Sequence, residues 1–115
     1  MLVIRESQFA ALGAVRLADF RKRAVEHLTR HFSKFAGMQA GEALAFVDAG
    51  IQKAAKYEIS SERNICKMLN LMAVLGPEFD TALPWARETL ATKAGPQVRF
   101  NRLYAKAERM ADQQP

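Results

Sequence analysis

Apolar residues recur every three or four positions along almost the whole chain, which is the spacing of one face of an α-helix. The first such stretch predicts a long helix from about Glu6 to Phe32. Leu17, Phe20, Ala24, Leu28 and Phe32 share one face, and Phe9 extends it toward the N-terminus. Arg16, Asp19, Arg23, Glu26 and Arg30 lie on the opposite side with mixed sign, so they can pair along the helix. A loop is expected around Gly37. A second helix then runs from Gly41 or Glu42 to about Tyr57, with Leu44, Val47, Ile51 and Ala54 as its apolar stripe. Gly50 lies inside it, at roughly 1 kcal/mol against alanine. A close crossing by a neighbouring helix, together with Ala49, Ala54 and Ala55, would explain its presence.

The stretch from Ser60 to Trp85 is the most apolar and the most clearly punctuated. Ser60 or Ser61 can cap a helix, because a serine oxygen accepts from the free N–H groups of the first turn. Glu62 then favours the positive end of the helix dipole. From Ile65 to Leu75 nearly every position is apolar, with Lys67 and Asn70 the main exceptions. Such a helix belongs in the middle of a packed domain, with Met68 and Met72 in the core. Gly76 supplies a left-handed terminator and Pro77 prevents continuation. Phe79 reads as an anchor dropped into the core from a tight turn. Pro84 fits the first position of a fourth, short helix whose Trp85 and Leu90 face inward. After Gly95-Pro96, a fifth helix is expected from about Gln97 to Met110, with Phe100, Leu103, Ala107 and Met110 inward. The sum is an all-α fold: one compact domain over residues 1–115, about five helices with a long first helix and a buried central helix. The polar tail at 112–115 is expected to fray.

Composition bounds this reading. A chain of 115 residues that is 50% hydrophobic can build a core without disulfides or metals. The single cysteine, Cys66, excludes an intramolecular disulfide, and its place in the apolar run predicts an inert packed thiol. No apolar run reaches the roughly 18 residues of a membrane span, and the N-terminal one is too short for a signal peptide. A cytoplasmic protein is expected.

Candidate chemistry is sparse. His27 and His31, four apart on a helix, make a two-point metal grip, but a metal site needs a third or fourth ligand and His27-Leu-Thr-Arg-His31 lacks the zinc-protease glutamate. A structural role at the edge of the core is expected for both. Cys66 has no neighbouring base or basic cluster to make it a nucleophile. No phosphate loop, dinucleotide fingerprint, calcium loop or paired-cysteine motif occurs. The expectation is a non-enzymatic protein with no catalytic residues, no cofactor and no metal.

Charge adds one local signal. The net charge is +5, from 17 basic and 12 acidic residues. In the last helix Arg99, Arg102, Lys106 and Arg109 recur at three, four and three, an arc of about 80° at 100° per residue. Only Glu108 and Asp112 oppose them nearby, and Lys93 adds charge upstream. The plain reading is a solvated face. The functional reading is a contact for an acidic protein surface, with these four residues steering it. Nucleic acid is the weaker alternative, because no aromatic interleaving and no recognition-helix unit is present. A small structural homo-oligomeric subunit is another.

A set of motifs also spans nearly the whole chain: Ile4-Arg5-x-x-Gln8, Phe20, His27-Leu-Thr-Arg-His31-Phe32, Gly50-Ile51-x-x-Ala54 and Tyr57-x-Ile59-x-Ser61-Glu62-Arg63. Leu71-Met72-x-x-Leu75-Gly76-x-x-Phe79-Asp80, Leu83-Pro84-Trp85-Ala86 and Arg102-Leu103-Tyr104 complete it. Together they resemble a group of small helical proteins from bacterial type VI secretion effector gene clusters. The motifs are structural ones: a cap, a glycine stop, a phenylalanine anchor and a Pro-Trp helix start. What the resemblance implies is an accessory role, as adaptor, chaperone or immunity partner of a secreted toxin, and it brings no catalytic residues with it.

Overall fold

The computed structural model describes residues 14–112. The expected helix start at Glu6, the contribution of Phe9 and the tail at 113–115 lie outside them. The fold is all-α. The described residues form α1 (Ala14–His31), a 3-10 turn (Ser33–Phe35), α2 (Ala40–Lys56), α3 (Glu62–Leu75), α4 (Phe79–Ala82), α5 (Pro84–Leu90) and α6 (Pro96–Asp112), with no strand. The sixth helix, beyond the five expected, is α4. Phe79 was expected in a tight turn; the turn closes into one helical turn, with Leu83 N–H donating to the Phe79 carbonyl.

The chain divides into two units between Asn70 and Leu71. In the first, α1 packs on α2 and on the 3-10 turn. Phe20, Ala24 and Leu28 are buried on the expected face of α1, whereas Leu17 and Phe32 at its ends are half-buried. The buried arc of α2 is Ala43, Val47, Gly50 and Ala54, joined by Ala55, so its inner face is made largely of small residues. Leu44 and Ile51 flank that arc half-buried, and Ala49 is exposed. Phe35 is buried in the 3-10 turn, with its ring edge-on to Phe46 at 4.9 Å between centroids.

Helix ends are set by local chemistry. Gln39 N–H donates to Glu42 Oε1 at 3.2 Å before α2. At the other end Glu58 N–H reaches the Ala55 carbonyl and Ile59 N–H the Ala54 carbonyl. This paired closure needs a left-handed residue, and Glu58 supplies it at φ 63°. Of the two serines, Ser61 is the cap of α3: its Oγ accepts from Asn64 N–H at 3.1 Å. Gly76, at φ 105°, ends α3 with its N–H on the Met72 carbonyl.

α3 is buried on part of its circumference rather than nearly all round: Val74, inside the apolar run, is 65% exposed, and Cys66, Lys67, Asn70 and Leu75 are half-buried. Ile65, Met68 and Leu69 are buried in its first part, and Leu71, Met72 and Ala73 in its last. In the second unit α4 packs on α5 and α5 on α6. Phe79, Ala86, Leu90, Phe100 and Leu103 are buried there. Three expected inward residues are not: Trp85 and Ala107 are half-buried, and Met110 is 38% exposed because it lies in the last turn of α6. No helix among the described residues is long and apolar enough to cross a membrane.

Candidate functional site

The basic row of the last helix begins with its apolar side. Phe100 and Leu103 are buried, which fixes the rotation of α6 and turns the opposite face outward. Arg102 and Arg109 are exposed there and Lys106 is half-buried. Among the described residues none of the three forms an ion pair. Arg99, the fourth residue of the predicted row, is placed differently. It is half-buried, and its Nη1 donates to the Ala94 carbonyl at 2.7 Å, across the loop that precedes α6. Its Nε is buried without a hydrogen-bond partner. Arg99 therefore ties down the loop, and the outward charge comes from Arg102, Lys106 and Arg109. The separation follows from position: Arg99 sits in the first turn, within reach of the loop's carbonyls.

Val98 and Ala105 belong to the same surface and carry no charge to draw notice in the sequence. Both are exposed, Val98 at 45%. At 100° per residue Val98, Arg102, Ala105 and Arg109 fall within an arc of about 60°. The signal that could have found them is their seven-residue spacing, Val98 to Ala105 and Arg102 to Arg109.

Two ion pairs between helices engage other charged side chains. Arg21 meets Asp48 with two bonds, Nε to Oδ1 at 2.9 Å and Nη2 to Oδ2 at 2.7 Å, linking α1 to α2. Arg23 donates to Asp19 along α1 at 2.7 Å and to Glu62 of α3 at 3.1 Å. Of the charged residues expected to pair along α1, only Asp19 and Arg23 do so. Arg16, Glu26 and Arg30 make no ion pair among the described residues.

His27 and His31 stand with ring centroids 4.7 Å apart. His27 Nε2 lies 2.8 Å from Asn70 Oδ1, and an amide oxygen there requires a proton on Nε2. His27 thus links α1 to α3 from a half-buried position, while His31 is exposed. Among the described residues no group of three or more His, Cys, Asp or Glu is placed to hold a metal ion. Cys66 is half-buried beside the Arg23–Glu62 pair. Burial pushes its thiol pKa up, Glu62 adds to the rise, and Arg23 opposes it. A raised pKa keeps the sulfur protonated at neutral pH, the unreactive form.

Asp80, at the start of α4, is buried at 1% exposure and is the one buried ionisable side chain among the described residues. It is engaged rather than free. Comparison with protein-family models, with curated proteins and with solved structures returns no match to this chain.

Proposed function

We propose that this protein is a non-enzymatic binding module that docks an acidic protein surface on the outer face of α6. One observation carries the reading: Arg102, Lys106 and Arg109 lie on one face of a helix with no acidic partner among the described residues, while Arg21 and Arg23 are neutralised in pairs. Unpaired cations on a rigid helix attract and orient an acidic partner with little cost in ordering. Arg99 contributes indirectly, by holding the loop at the start of that helix.

The reading of the titratable groups favours binding over catalysis. Cys66 is kept as a thiol, and His27 is committed to Asn70. The resemblance to small helical proteins of type VI secretion effector clusters gives the role a setting. In that setting the protein acts in the cytoplasm as an adaptor, chaperone or immunity partner of a secreted toxin.

The test is association with the product of the adjoining gene, followed by stopped-flow at low and at physiological salt. Arg102→Glu with Arg109→Glu is expected to slow association about tenfold or more, with the loss shrinking as salt rises. An unchanged association rate removes α6 from the interface. Tight, steeply salt-dependent binding to duplex DNA instead would favour a nucleic-acid role.

A further inference from the structure

Resting on that reading, we infer that the occupant of the α6 face is itself an amphipathic α-helix. It carries acidic residues seven apart, with apolar residues between them. The argument starts from the line Val98–Arg102–Ala105–Arg109. Its steps are four, three and four, and all four residues are exposed. Alternating steps of three and four average 3.5 residues, the repeat on which two helices stay in register along a shared seam. The line is about 17 Å long at 1.5 Å per residue, enough for two successive layers of contact.

Size and charge alternate along it. Val98 and Ala105 are small, which lets a second helix axis approach to about 8–10 Å. Arg102 and Arg109 follow each of them and present guanidinium groups to whatever crosses. A partner helix with Asp or Glu spaced by seven meets both, and its intervening leucines or alanines cover Val98 and Ala105. Lys106 lies on the flank of the line, where it meets acidic residues at the rim.

A second copy of this face is a poor occupant, because it would gather four arginines along one seam. A nucleic-acid backbone satisfies the guanidiniums but leaves Val98 and Ala105 without an apolar partner. An irregular acidic loop satisfies the charges without using the seven-residue spacing.

The experiment uses the full chain and two 21-residue peptides of identical composition. One is helical, with glutamates and leucines in a seven-residue stripe, and the other has them scrambled. Binding is read by fluorescence anisotropy at about 0.15 M salt, the ionic strength at which diffuse charge attraction is largely screened. The striped peptide is expected to bind at least about tenfold more tightly than the scrambled one. Ala105→Trp, which blocks close approach without changing charge, is expected to remove that advantage. Val98→Asn is the second variant, should Ala105→Trp lower the melting temperature. Equal binding of the two peptides overturns the helix proposal and leaves the acidic-surface reading standing. Binding of neither peptide also overturns it, and the partner's association rate then judges the acidic-surface reading separately. Tighter binding of a 20-base-pair duplex DNA than of the striped peptide overturns both.

Discussion

Glu58 holds a backbone conformation, φ 63°, in which an L side chain crowds the following carbonyl. It keeps that conformation because two hydrogen bonds close the end of α2 through it, and because the next residue, Ile59, is buried. Glycine adopts the same conformation without the crowding. Glu58→Gly is therefore expected to stabilise the protein by about 1 kcal/mol, read from the midpoint of urea unfolding. A destabilisation would mean that the exposed Glu58 side chain contributes more than its backbone costs. Gly76 solves the same geometric problem at the end of α3, and there the sequence announces the solution. A glycine before proline is visible in the sequence, whereas a glutamate at a left-handed position is not.

At the scale of the elements, the ends of α2 and α3 are bounded by chemistry within a few residues. Ser61 is the clearest case, since its Oγ takes up a first-turn N–H of α3 that would otherwise lack a partner. Ser61→Ala is expected to cost about 1 kcal/mol in unfolding free energy, and Ser60→Ala distinctly less. Equal losses would mean that the two serines share the cap. The boundaries of α2, α3 and α6 were legible within a residue or two for this reason. The turn around Phe79 was less legible, because a four-residue helix is too short to display a period. The small-residue face of α2 was only partly so. Gly50 and Ala54 suggested a close crossing, but Ala43 gave no sign that it lies in the same arc. On α6 the basic row was legible as a spacing. That Arg99 leaves it for the Ala94 carbonyl depends on the path of the preceding loop.

For the whole molecule, the Cys66 thiol links protonation to stability. Its pKa in the fold is raised above the ordinary value of 9.0, so the folded state holds this proton more tightly than the unfolded state. The resulting stabilisation is complete below pH 9.0 and is lost as pH rises toward the folded value. Lysines and tyrosines titrate in the same range, so the comparison is with Cys66→Ala. The stability difference between the two proteins is expected to move against the cysteine protein between pH 8 and pH 10. A pH-independent difference would show that the thiol is as free to ionise in the fold as in the open chain.

The sequence by itself determined five of the six helices among the described residues, most of their ends, the apolar core positions of α3 and the candidate basic row. These depend on residues within one or two turns of each other, and a helix fixes such neighbours by its own geometry. Only the tertiary structure decided which charges are spent inside the fold. Arg21 finds Asp48 27 residues away, Arg23 reaches Glu62 across 39, and His27 meets Asn70 across 43. It also placed Phe35 against Phe46 and left Val98 and Ala105 exposed between Arg102 and Arg109. Those outcomes turn on how helices cross and rotate against one another. The crossing is set by summed packing over whole faces, so no local spacing in the chain records it.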